Sequence, residues 1–105
     1  MSQMRCETEE YDGGSSCRMH LSGALNVGNA QAVCQCVLSG CEKYSRVCIV
    51  LEDVSAFDAS VMHILLAAQR IETAGVSIFR GSQAESVEHW LNIAGLREML
   101  PLHAV

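Results

Sequence analysis

Asp53, Ser55, Asp58 and Ser60 sit close together near the middle of the chain, and carboxylates beside hydroxyls admit three kinds of chemistry. A serine can act as a nucleophile when a base lies within hydrogen-bond reach and a third group orients that base. A serine hydroxyl can instead accept a phosphoryl group. Asp and Ser can also simply accept bonds from the free amides at a helix start. The first chemistry lacks its base, because His20, His63, His89 and His103 are scattered and none occupies a recognisable motif. His63 lies about one helical turn beyond Ser60 and reads best as an exposed helix residue. Phosphate cradles of the G-x-x-x-x-G-K-S/T or G-x-G-x-x-G type are missing, with Gly23, Gly28 and Gly40 too far apart to build one. The residues favour capping or phosphoryl acceptance over catalysis, and no catalytic residue is assigned.

Composition narrows the classes further. The 105 residues suit a single domain, and half of them are apolar, enough for a packed core. Twelve acidic against seven basic residues give a formal charge of −5, and no Lys/Arg cluster occurs, which argues against direct nucleic-acid binding. No apolar run approaches the ~20 residues of a membrane span, and the polar, acidic start MSQMRCETEEYDGG is unlike a signal peptide. Six cysteines without an export signal are expected to be reduced thiols. Cys34, Cys36 and Cys41 fall inside a helical pattern in which Cys36 points almost opposite the other two. One metal ion could not gather all three. No metal or cofactor is expected.

The elements that must position the central residues follow from periodicity. Met4, Cys6 and Thr8 alternate with Arg5, Glu7 and Glu9, giving a half-exposed strand over Gln3 to Glu10. Asp12-Gly13-Gly14 supplies a hairpin turn, and Cys17, Met19 and Leu21 form a second, antiparallel strand that Gly23 ends. Asn26 is expected to N-cap a helix from about Val27 to Glu42. The run Val47-Cys48-Ile49-Val50-Leu51 reads as a buried strand, and Glu52 to Asp58 as a polar loop. Val61, Ile64, Leu65, Ala68 and Ile71 recur at helical spacing, predicting a helix from about Ala59 to Thr73 with Gly75 as its stop. Val76 to Phe79 makes a further strand. Ser82 and Glu85 form a capping box for a helix carrying Val87, Trp90, Leu91 and Ala94 on one face, closed by Gly95 and Leu96. Met99 to Val105 adds a last edge strand limited by Pro101. The order β-β-α-β-α-β-α-β predicts an α/β fold with a mixed four- or five-stranded sheet and helices mainly on one face.

The segment Leu51-Glu52-Asp53-Val54-Ser55-Ala56-Phe57-Asp58-Ala59-Ser60-Val61 resembles a family pattern. STAS domains, typified by bacterial anti-sigma factor antagonists, carry a buried strand, then roughly L-x-D-V/L-x-x-I/F/M-D-S-S-G, then an apolar helix. Gly23-Ala24-Leu25-Asn26 and Ala94-Gly95-Leu96 also resemble the family's steps. Two positions depart: Ala59 stands where the family has its phosphorylated serine, and Val61 replaces the glycine. The resemblance implies a STAS-like fold over residues 1–105 and a cytoplasmic, non-enzymatic regulator that binds a protein partner. That partner would be an anti-sigma serine kinase or a related signalling protein.

The resemblance places the partner-binding or switch surface at Asp53, Ser55, Asp58, Ala59, Ser60, Met62, His63 and Leu66, with Ser60 as the candidate phosphosite in place of Ala59. Met62, Leu66 and Ala67 widen the helix's apolar arc, which reads either as deeper burial or as a contact patch. Homodimerisation is left open. The alternative implied by Ala59 and Val61 is a small cytoplasmic STAS subunit of an ABC-type lipid transport complex, where binding is constitutive.

Overall fold

The computed structural model describes residues 3–81, 84–95 and 103–104. Strand β1 (Met4–Tyr11) turns through a short 3-10 segment at Asp12–Gly14 into strand β2 (Ser16–Leu25). The turn needs left-handed backbone, and Asp12, Gly13 and Gly14 supply it with φ of 53°, 66° and 89°. After a 3-10 turn at Val27–Asn29 come helix α1 (Ala30–Lys43), strand β3 (Arg46–Phe57), helix α2 (Ala59–Ala68), strand β4 (Gly75–Arg80), helix α3 (Ala84–Ala94) and strand β5 (His103–Ala104).

The sheet runs β1-β2-β3-β4-β5, with β1 antiparallel to β2 and every later pair parallel. Three successive helical crossovers link the parallel pairs, and crossovers of one hand carry their helices to one face. The core bears this out. Val33 and Val37 of α1, Val61 and Leu65 of α2, and Val87 and Leu91 of α3 share one buried cluster with Met19, Leu21, Ile49, Leu51 and Ile78 of the sheet. The predicted mixed sheet and one-sided helices are the observed ones.

Several boundaries differ from expectation, each for a physical reason. Gly23 does not end β2. Its φ of 86° lets the strand continue through a bulge to Leu25, and a Cβ there would run into the Gln3 carbonyl oxygen. The expected loop from Glu52 to Asp58 is mostly strand, because β3 carries on beside β2 as far as the Leu25–Phe57 pair. The register slips either side of Gly23, so β3 spends extra residues there, and Asp53 adopts φ 48°. Asn26 makes no side-chain cap, and Val27–Asn29 is 3-10 rather than α-helical.

Helix α2 stops at Ala68, with Arg70 and Ile71 amides tightening back onto the Ala67 and Ala68 carbonyls. Gly75 is the first residue of β4 rather than a helix stop, its amide held by the Ser45 carbonyl at 2.9 Å. Gly95 has φ 73°, as a helix-ending glycine should, while Ala94 is exposed rather than on α3's buried face. The capping interaction read for Ser82 and Glu85, and the places of Leu96, Met99 and Pro101, lie outside the described residues and side chains.

The expectation of six reduced thiols is overturned. Cys6 of β1 and Cys36 of α1 form a disulfide across a sequence separation of 30, leaving Cys17, Cys34, Cys41 and Cys48 free. Cys36 does point away from Cys34 and Cys41, as helical spacing requires. The direction it points in is toward β1, a neighbour that helix periodicity cannot reveal.

The Gly23 bulge yields a direct prediction. Gly23→Ala should lower unfolding stability by about 2 kcal/mol or more, since it combines a left-handed backbone with a collision against main chain. Chemical denaturation of the variant beside the parent chain would measure this, and an unchanged midpoint would show that the bulge tolerates a side chain.

Candidate functional site

Asp58 is the N-cap of α2 and the centre of the site. Its backbone is extended, with φ −102° and ψ 173°, so its carboxylate reaches forward over the helix start. Oδ1 accepts the Ser60 amide at 3.2 Å and also the Ser60 hydroxyl. Oδ2 accepts the amide of Val27 at 2.8 Å, from the 3-10 turn that leads into α1. The main chain of Asp58 is equally committed: its N–H donates to the Leu25 carbonyl at 3.0 Å, and its carbonyl accepts from Met62 at 3.1 Å. One residue therefore ties the end of β2, the entry to α1 and the start of α2.

The electrostatics follow. Partial burial by itself pushes the Asp58 carboxyl up. The Ser60 hydroxyl and the amides of Val27, Val61 and Ser60 together outweigh that, holding it below the usual carboxylate range.

The residues singled out in the sequence divide into three groups. Asp58, Ala59, Ser60 and His63 gather at the start of α2, with Ala59 and His63 exposed and Ser60 half-buried behind the Asp58 carboxylate. Asp53 goes elsewhere. It lines a shallow polar depression on the open face of the sheet, with Glu52, His20 and Ser22. Ser55 is exposed on the last stretch of β3. The third group is a correction: Met62 is 1% exposed and belongs to the core, and Leu66 is half-buried against it. The wide apolar arc of α2 is explained by its central place, packed on the sheet and between α1 and α3. Of that arc only Ala67 is exposed.

Sequence reasoning missed three features. Val27 is 74% exposed immediately beside the Asp58 node, an apolar side chain left on the surface where its amide is fixed. An apolar groove of about 360 Å³ runs between α1 and α2, lined by Cys34, Leu38, His63, Ile64, Ala67 and Ile71. On the opposite face of the sheet His20 lies between two carboxylates, Nε2 at 3.2 Å from Glu9 and Nδ1 at 3.4 Å from Glu52. Hydrogen bonds from His20 and Arg18 hold the Glu9 carboxyl below its ordinary range. The alternation of β1 and β2 could have placed His20 opposite Glu7, but not between Glu9 and Glu52. Among the described residues no group of three or more His, Cys, Asp or Glu is arranged to hold a metal ion. No described helix is long and apolar enough to cross a membrane.

Comparisons with known proteins agree with this fold. The STAS domain family model covers residues 5–105. The chain belongs to the STAS domain family. In fold it is similar to an anti-sigma factor antagonist from Mycobacterium paratuberculosis, at 18% identity and TM-score 0.75, over 96% of this chain and 86% of that one. It is also similar to the anti-sigma factor antagonist SpoIIAA in its unphosphorylated form, at 14% identity and TM-score 0.61, over 96% and 88% of the two chains. No curated protein sequence matches it. In this STAS domain the helix start after β3 is intact as a cap, while its first residue, Ala59, carries no hydroxyl.

The Asp58 node gives a stability prediction with a definite sign. Asp58→Ala should cost about 1–2 kcal/mol, since it removes a helix cap together with the anchor of a second helix entry. The Asp58 carboxyl is depressed in the folded state, so its contribution is present above the ordinary carboxylate pKa and lost as pH falls through the lower folded value. Thermal melting from pH 6 down to pH 2 should show the parent losing its advantage over Asp58→Asn in the acid range. A constant difference at every pH would contradict the role given to the charge.

Proposed function

We propose that this STAS domain, residues 1–105, is a non-catalytic regulatory interaction module of the anti-sigma factor antagonist kind. Its partner is a serine kinase of the anti-sigma type or a related signalling protein. The observation that carries the reading is the start of α2, where Asp58 fixes the backbone and Ala59 and His63 stand exposed around it. The contact surface extends from Val27 and Ser55 across Asp58, Ala59, Ser60 and His63 toward Leu66. Met62 supports it from beneath.

The switch is absent from this module. A phosphoryl group at a helix start meets free amides and the favourable end of the helix dipole. Residue 59 offers that setting with no hydroxyl to modify. Ser60 has the hydroxyl, but it donates to the Asp58 carboxylate. A dianion at Ser60 would face that carboxylate and displace a bond the helix start uses, so Ser60 is disfavoured as an acceptor in the folded chain. Binding is then governed by the presence of the partner rather than by modification of this chain. The same missing hydroxyl favours a second reading, constitutive assembly as a STAS subunit of an ABC-type lipid transport complex. Affinity capture from the source cell separates the two by the identity of the partner, a soluble kinase or a transporter component.

Two variants test the surface and the lost switch. Incubated with the kinase partner and ATP, the parent chain should stay unmodified, and Ala59→Ser should gain a single phosphate at residue 59. Ala59→Glu should weaken partner binding roughly tenfold or more by burying an unpaired charge at the contact. Its melting temperature should hold, because a carboxylate suits a helix start. Unchanged affinity in Ala59→Glu would move the interface away from α2.

A further inference from the structure

We propose that Cys6 and Cys36 are a reversible thiol–disulfide pair, a modification site at which a low-molecular-weight thiol/disulfide couple sets how firmly strand β1 is held. The placement of the pair is the first argument. Among the described residues strand β1 lies at the sheet edge and pairs with β2 alone, and most of its residues are exposed. Besides that ladder it is anchored at its far end, where the Tyr44 hydroxyl and Lys43 both meet the Glu10 carboxylate. The Cys6–Cys36 bond is the covalent tie between this strand and the helix layer, and it closes a ring across a separation of 30 residues. A ring of that length takes substantial freedom from the unfolded chain, so making or breaking it shifts the folding equilibrium. The ring also contains Val27, whose amide donates to Asp58, so a hydrogen bond links the covalent loop to the α2 node outside it.

The second argument is selectivity. Both cysteines are half-buried rather than enclosed in the core. Burial pushes the Cys17 and Cys41 thiols up, which keeps them in the unreactive protonated form. Cys48 is engaged by the Tyr11 hydroxyl at 3.2 Å. Cys34 lies on the groove between α1 and α2, almost opposite Cys36 around α1, and does not compete for Cys6. The third argument is backbone economy. The two Cα atoms are 7.1 Å apart, just beyond the usual disulfide spacing, so the reduced pair fits the same backbone as neighbouring thiols.

The chemistry balances without a metal or an enzyme. In the oxidising direction one thiolate of the pair attacks a small disulfide RSSR, forming a mixed disulfide and releasing one RSH. The second thiolate attacks the protein sulfur of that mixed disulfide, forming Cys6–Cys36 and releasing the second RSH. Two electrons pass from the cysteines to RSSR, and the protons lost by the two thiols appear on the two RSH. Reduction is the same sequence reversed.

The test uses the whole chain equilibrated with reduced and oxidised glutathione at a series of ratios, then acid-quenched, alkylated and read by mass spectrometry. The expected result is one two-electron transition at Cys6 and Cys36 within the accessible glutathione range. The melting temperature should drop by about 10 °C or more on the reduced side. Cys36→Ser should melt like the reduced parent and ignore the glutathione ratio, whereas Cys34→Ser should titrate like the parent. A pair that stays wholly oxidised or wholly reduced at every ratio overturns the proposal, as does loss of the transition in Cys34→Ser. Equal melting of the oxidised and reduced parent overturns it independently of any variant.

Discussion

Asp58 is asked to satisfy two helix beginnings at once, and much of the domain's layout follows from that demand. A helix start leaves several amides without partners, and the usual remedy is one capping side chain for each helix. Here a single carboxylate serves α2 through Ser60 and the entry to α1 through Val27, a residue 31 positions earlier in the chain. For one side chain to reach both, the ends of β2 and β3 must lie side by side at the top of the sheet. The pairing of Leu25 with Phe57, and the bond from the Asp58 amide to the Leu25 carbonyl, put them there. Asn26 is thereby relieved of capping, which is why it makes no side-chain cap although its residue type suits the role.

The bulges in the β2–β3 pair are the structural cost of that arrangement. Strand β3 uses more residues than β2 over the same length, and the excess is absorbed where Gly23 and Asp53 take left-handed backbone. For Asp53 such a conformation costs about 1–3 kcal/mol, so it persists only because the flanking pairs fix it. Its consequence is separation of the two carboxylates. Asp53 turns toward the open face of the sheet beside Glu52 and His20, and Asp58 turns toward the helices. Two acidic residues that look like one cluster in the sequence serve different faces.

This explains which parts of the molecule were legible beforehand. Elements with a clean period were readable: the alternation of β1 and β2, the apolar run of β3, and the stripes of α1, α2 and α3 each report burial on one face. The helix start at Asp58 was readable because its cap acts within two residues. What could not be read depends on partners far along the chain. The strand character of Glu52 to Phe57 exists only because β2 lies beside it, and the Cys6–Cys36 bond only because β1 lies beside α1. Met62 is the instructive case. Its position off the main stripe of α2 left burial and exposure equally open, and α2, flanked by α1 and α3, buries more than one face. Periodicity measures how wide a buried arc is and says nothing of whether a partner inside or outside the chain covers it.

The same separation bears on what Ala59 changes. A cap and a phosphoryl acceptor place different demands on adjacent residues. The cap needs an oxygen at Asp58 that accepts, and the acceptor needs a hydroxyl at residue 59 that is free to react. In this chain the first demand is met by three hydrogen bonds onto the Asp58 side chain. The second is not met at all. Losing the hydroxyl disturbs nothing in the cap, because residue 59 is exposed and contributes no side-chain bond to it. A helix start of this design can therefore keep its shape whatever side chain stands at residue 59, since the shape resides in Asp58.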